Sequence, residues 1–161
     1  MSLNAYLTVT GTKQGLIKGS VKLKGHEGEI AVYAYHHEID APRDFTTGLA
    51  AGKRQHKAIS IAKEIDKSTP LLLKVLITNE TLSEIILRFY APGTNRKVEQ
   101  IYTIRLTNAN INNISQDMSM NKIERGIKLP VLEEISFVYQ EIEWTWVDGS
   151  IVASDEWGNI S

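Results

Sequence analysis

The 161-residue chain has no cysteine, only four prolines and few aromatic residues, 7% in all. Without cysteine there is no disulfide, no thiolate nucleophile and no sulfur ligand for zinc. Charge of one sign is also missing: 18 Lys and Arg stand against 19 Asp and Glu, for a net charge of -1. That balance removes the global electrostatic motive for binding nucleic acid or an anionic membrane. No apolar run approaches the roughly 20 residues that span a bilayer, so membrane insertion is not expected. The opening MSLNAYLTVTG has no basic stretch leading into an apolar one. A cleaved secretory signal is therefore not expected, and export would need another route.

What remains is an ordinary globular composition, 42% hydrophobic and 23% charged. At this length one domain over residues 1–161, with a C-terminal tail from 148, can bury a sizeable core. Most of the chain has the period-2 pattern of half-buried strands. Ala5, Leu7 and Val9 alternate with Tyr6, Thr8 and Thr10. Leu16 to Leu23 reads as a weaker strand bent at Gly19, followed by a turn over residues 24–28. Glu29 to Ile39 reads as one long strand rich in Val, Ile and Tyr. Ile59 and Ile61 mark another, and Ile85, Leu87 and Phe89 a further one. Pro92 to Asn95 is a turn, Val98 to Leu106 its hairpin partner, and Ala109 to Met118 a polar strand. In the last strand the apolar residues change parity, from Ile135, Phe137 and Tyr139 to Ile142, Trp144 and Trp146. A β-bulge near Gln140–Glu141 would reconcile the two, placing Trp144 and Trp146 on a buried face.

One helix interrupts the strands. Ser68 or Thr69 is placed to cap its N-terminus and Pro70 suits its first turn. Leu72, Val75, Leu76 and Asn79 then lie on one side, and the helix ends near Asn79. Many antiparallel strands with one helix point to an antiparallel β-barrel of two packed sheets, the helix on its side. Between Asp40 and Gln55 runs a long extended loop with Pro42, Gly48 and Gly52, a length usually tied to function.

The chemistry-bearing patterns are thin. Gly48 to Arg54 has three residues between its glycines, where a phosphate-binding loop needs four, and Arg54 where that loop has Ser or Thr. His36 and His37 lie beside Glu38 and Asp40, but a metal needs three or four converging ligands, so the four histidines read as scattered surface residues. Glu133 and Glu134 point to opposite faces of a strand and read as solvated edge charges. The basic run Lys53, Arg54, His56 and Lys57 reads as a partner for an acidic patch on another protein. No catalytic, cofactor-binding or metal residue is expected, and the chain does not read as an enzyme.

Taken in order, the segments resemble the Hcp family of bacterial type VI secretion. The resemblance is carried by Gly25-His26-Glu27, by Pro42-Arg43-Asp44 with Gly48, and by Gly52-Lys53-Arg54-Gln55-His56-Lys57. It continues through Lys63 to Leu72, Tyr139 to Trp144 and Asp155-Glu156-Trp157, spanning nearly the whole chain. Ala58 departs from the Pro that relatives often carry after the His-Lys pair. The resemblance implies a β-barrel protomer that forms hexameric rings, stacked into the inner tube of a contractile injection apparatus. It implies partners too: further copies of itself, a spike, a contractile sheath and effector proteins held in the lumen. It also implies a bacterial cytoplasmic protein that is secreted on firing. On that reading Pro42, Arg43, Asp44, Thr46, Gly48, Lys53, Arg54 and His56 are candidates for ring and stacking contacts, and His36 for the lumen wall. A monomeric, non-catalytic β-barrel binding a ligand through Trp144, Trp146 or Trp157 is the alternative.

Overall fold

A computed structural model describes residues 3–118 and 131–158. Eleven strands and one helix follow in the order β1 (Asn4–Gly11), β2 (Gly15–Ile17), β3 (Ile30–Val32), β4 (Ala34–His36), β5 (Ile39–Asp40), β6 (Gln55–His56), β7 (Ile59–Glu64), α1 (Thr69–Thr78), β8 (Leu82–Pro92), β9 (Val98–Gln116), β10 (Leu132–Trp146) and β11 (Ile151–Glu156).

The main sheet is ordered β2-β1-β8-β9-β10-β7-β4, with β3 also on β1 and β11 also on β10; β5 and β6 form a separate pair. The segment expected as one strand from Glu29 to Ile39 is divided. Ile30–Val32 pairs with β1 at one edge of the sheet, and Ala34–His36 pairs with β7 at the other. Tyr33 between them donates its N–H to the Ala62 carbonyl at 2.8 Å. One short run of chain thus joins both edges and closes the sheet into an antiparallel barrel, which leaves fewer backbone groups unpaired. The Leu16–Leu23 strand is likewise shorter than its pattern. Beyond Ile17, Gly19 donates to the Gly28 carbonyl at 2.8 Å. A Cβ at Gly19 would lie 2.5 Å from the Glu29 carbonyl oxygen, so only glycine allows that close passage.

The long strands bend together. Tyr139 and Ile142 both face the core, with Gln140 and Glu141 exposed between them. The same spacing recurs in β9 at Leu106 and Ala109, and in β8 at Leu82 and Ile85. Three neighbouring strands therefore change their buried face along one line, where Asn108 takes a left-handed conformation (φ 50°) and donates from Nδ2 to Gln140 Oε1 at 2.9 Å. The parity change in β10 is real, but β10 keeps register with β9 across it; the register shift lies between Ser136 and Phe137, where β9 carries Asn112 as the extra residue. The polar segment from Ala109 is not a separate strand but the continuation of β9, and it reaches Gln116. Below the bend β10 pairs with β7 through residues 132–137; above it, with β11 through 141–146.

Leu7, Val9, Ile59, Ile61, Leu87, Ile104 and Phe137 lie in the core, with Leu72 and Val75 contributed by the helix. Each such side chain contributes about 1.5–3 kcal/mol on burial. The helix ends as expected at Asn79 in left-handed conformation (φ 54°), but its start differs: Ser68 makes no side-chain capping bond. Its hydroxyl donates to Asp66, and Asp66 also accepts the Ser68 N–H at 2.8 Å. Trp144 packs against the core as alternation requires, whereas Trp146 on the same face is 47% exposed near the strand's end.

Glu133 is the largest departure from its sequence reading. It is buried, not solvated, and its Oε1 lies 3.0 Å from the Nζ of the equally buried Lys63. Lys63 also reaches Asp66 Oδ1 and Thr69 Oγ1, each at 3.2 Å, and the Glu64 carbonyl at 2.7 Å. The network ties β7, the start of α1 and β10 together.

Candidate functional site

The Asp40–Gln55 segment is a projecting hairpin arm, not a featureless loop. Its root is the β5–β6 pair, Ile39 opposite His56 and Asp40 opposite Gln55. Arg43 bridges Ala50 further out, and Ala51 donates to the Pro42 carbonyl at 2.9 Å. At the tip Asp44 accepts the Thr46 N–H through its carboxylate at 2.8 Å and the Gly48 N–H through its carbonyl at 2.6 Å. Gly48 stands at φ +73°, which a Cβ would strain. These local bonds turn the chain with no core beneath it. Two apolar residues are consequently left in water: Phe45, fully exposed, and Leu49, 68% exposed.

The root is held by charge and ring contacts. The Arg54 guanidinium grips Asp155 as a fork, Nε to Oδ2 at 2.6 Å and Nη2 to Oδ1 at 2.7 Å. His56 Nε2 meets Asp155 Oδ2 at 2.6 Å, and its Nδ1 meets the Tyr139 hydroxyl at 2.8 Å. Trp157 stacks on the His56 ring, 5.8 Å between centroids, and stands nearly perpendicular to the Tyr139 ring at 4.9 Å. The hydrogen bond from Arg54, helped by His56, holds the Asp155 carboxyl well below its ordinary range against the opposing pull of burial. Burial, and then the Asp155 charge, push the Tyr139 phenol up. Beside this cluster Trp144 donates its indole N–H to His37 Nε2 at 3.1 Å, and burial holds the His37 ring below its usual value. Lys57 closes the far side on Asp40 at 2.9 Å and Glu38 at 3.4 Å.

The sequence-named residues therefore divide. Pro42, Arg43, Asp44, Thr46, Gly48 and Lys53 lie on the arm and are exposed or half-exposed. Arg54 and His56 do not belong with them. His56 is buried, and within the run Arg54 and His56 meet Asp155 of the same chain while Lys57 meets Asp40 and Glu38. The histidines are not uniformly superficial either: His26 stacks on Tyr6 with centroids 4.1 Å apart, while His36 is open to solvent on β4. Within the tail, Ile151–Glu156 pairs with β10 and delivers Asp155 to the root. Phe45 and Asp155 were the residues missed; the Asp155-Glu156-Trp157 motif marked the second, though not its partners.

Among the described residues no cluster of His, Cys, Asp or Glu could hold a metal, and no helix is long and apolar enough to cross a membrane. Gly48–Lys53 forms the arm's tip and its return, and the short strand β6 rather than a helix follows it. The arrangement is built to hold a projecting element firmly.

Residues 6–146 match the family described as "Type VI secretion system effector, Hcp". A curated relative, the "Major exported protein" of Pseudomonas aeruginosa, is 34% identical over 98% of this chain and 96% of its own length. The fold is similar to the solved Hcp1 of the E. coli EAEC 042 pathovar, with TM-score 0.85 and 30% identity over 97% of this chain and 99% of that one. It is also similar to the secreted Hcp3 of Pseudomonas aeruginosa, with TM-score 0.80 and 30% identity over 98% and all of that chain. A β-rich barrel with one lateral helix, a braced arm and a near full-length sequence match place this chain in the Hcp family of type VI secretion proteins.

Proposed function

We propose that the chain is a structural subunit of the secretion apparatus's inner tube, assembling into hexameric rings that stack and leave with the spike. The observation that carries this reading is the arm. Phe45 and Leu49 are exposed at its tip, while Arg54, His56 and Asp155 fix its root. Exposed apolar groups on a rigid mount suit docking onto another protein, since the mount lowers the entropy lost on binding. Pro42, Arg43, Asp44, Thr46, Gly48 and Lys53 then form the contact, and Arg54 and His56 serve from beneath. Head-to-tail contacts with rotational closure give a ring, and a second, non-closing contact gives a tube. His36 is assigned to the lumen wall, where effectors would be held; it should stay reactive to a small water-soluble label in assembled rings. The sheath and spike are the other partners of this reading. The protein waits in the bacterial cytoplasm and becomes extracellular on firing.

Deleting Thr46–Ala51 tests the assignment. The variant should keep its far-UV circular dichroism and lose stacked rings in negative-stain images. Unchanged tubes would refute a role for the arm, and a monodisperse wild-type monomer at high concentration would refute the tube subunit and favour the ligand-binding barrel.

A further inference from the structure

The arm leaves open what joins neighbours within a ring. The closed sheet still leaves two dissimilar margins: β2, at the end of the strand order beside β1, and β11, which branches off β10. Among the described residues β11 pairs only with β10, so its outer edge keeps unpaired N–H and C=O groups. That edge is also apolar, with Ile151 and Val152 both exposed. A bare apolar edge strand is a pairing template that monomeric proteins normally blunt.

Charge sets the occupant. Antiparallel register places Glu141 directly opposite Glu156 and Glu143 opposite Ser154, so three carboxylates gather on the outer face of the β10–β11 hairpin. They line a shallow cleft of about 410 Å³ with one cation, Arg105, which stands opposite Glu143 in the β9–β10 register and is shared with Glu84 at 3.6 Å, so three carboxylates face a single guanidinium there. Like charges directly across a ladder are destabilising unless something neutralises them. The opposite margin of the same sheet carries the complement. From β2 into the following turn, Lys18, Lys22 and Lys24 are exposed together with Leu16 and Leu23. The acids closest in sequence, Glu27 and Glu29, are turned to local donors, the Gly25 amide at 3.1 Å and the His26 ring at 3.4 Å.

We infer that the acidic, open β11 edge of one copy receives the Leu16–Lys24 margin of a second copy, and that this contact is the lateral interface within the ring. It rests on the tube-subunit reading and adds which edges meet. A contact that joins one margin to the different margin of the next copy leaves each copy with one of each kind to offer. It propagates head to tail, as a closed ring requires.

Two triple reversals test this: E141K/E143K/E156K on one margin and K18E/K22E/K24E on the other. All six positions are exposed or half-exposed, so each variant should keep the wild-type circular dichroism and melting profile. Each alone should assemble at least tenfold more weakly, read by solution mass as the concentration at which rings appear. Mixed in equal amounts, the two should regain rings, because an even-numbered ring can alternate them with every contact between opposite charges. Should either reversal be too unstable to fold, the neutral pairs E141Q/E156Q and K22Q/K24Q are compared instead, and each should weaken ring formation. Rings that persist at wild-type concentrations in either folded variant, or a mixture of folded variants that stays monomeric, overturn the inference while leaving the tube reading intact. A wild-type protein that never forms rings removes both.

Discussion

Replacing Glu133 by Gln tests whether the buried Lys63 network is a structural necessity. Lys63 and Glu133 are both buried, and Nζ lies 3.0 Å from Oε1. The amide keeps the volume of the carboxylate; its oxygen can still accept from Thr69, now 3.1 Å from Oε1, and Gln116, now donating to Oε2 at 2.9 Å, can turn its own amide to accept from the new NH2. What disappears is the counter-charge. Lys63 is then left with Asp66 at 3.2 Å as its one carboxylate, together with the neutral acceptors Thr69 and the Glu64 carbonyl. Removing one partner of a buried pair costs about 3–5 kcal/mol, and because Asp66 remains the lower end applies, about 3 kcal/mol. For a domain of this length each kcal/mol moves the melting temperature by roughly 2–4 °C, so the midpoint should fall by roughly 6–12 °C. Thermal and urea unfolding at one fixed protein concentration reads the effect without confounding it with assembly. The paired change Lys63→Met with Glu133→Leu should return to within about 2 kcal/mol of wild type, since neither charge is left buried alone. A single variant that loses less than about 1 kcal/mol would show that water or local relaxation neutralises Lys63, and the network argument would fail.

Substitutions at three further positions have expected outcomes. Asp155→Asn should loosen the arm's root, raising hydrogen exchange at residues 39–56 while the barrel strands stay protected; equal exchange in both proteins would refute the clamp. Because the Asp155 carboxyl is held low in the folded protein, its contribution is complete above about pH 4, the unfolded carboxylate range, and declines as pH falls toward the folded value. An acid-unfolding curve of Asp155→Asn should therefore lie closest to wild type at the lowest pH and separate from it upward. Phe45→Ala should leave monomer stability within about 0.5 kcal/mol, since Phe45 touches no core, yet impair ring stacking by electron microscopy; unaltered stacking would remove Phe45 from the contact. Asn79→Gly should be tolerated and Asn79→Val should cost about 1–2 kcal/mol in chemical unfolding, because the helix ends in a left-handed residue; equal stability would contradict that cap.

Local patterns in the chain determined local facts. Alternation at Ala5–Val9 and Ile85–Phe89 gave strands whose inward faces are those buried, and the run from Pro70 to Asn79 gave the helix and its left-handed end. The parity change at Gln140–Glu141 was legible as well, because burial depends only on which way successive side chains point. Its cause was not. A bend shared by β8, β9 and β10 depends on strands far apart in sequence, and a single strand does not record its neighbours' geometry. The Glu29–Ile39 run shows the same limit: β-branched residues favour extended backbone, but only the closing barrel decides that the chain changes partner at Tyr33.

The functional segment divides on that line too. Residue types and spacing alone mark a glycine-bearing, charged excursion between Asp40 and Gln55, exclude cysteine and phosphate-loop chemistry there, and carry the family motifs. It takes the folded chain to turn Arg54 and His56 onto Asp155, 101 and 99 residues away, and to make Glu133 a buried counter-ion rather than a wetted acid. A charged side chain's role depends on what stands within about 4 Å of it once water is excluded, a distance set by the folded chain and not by spacing along it.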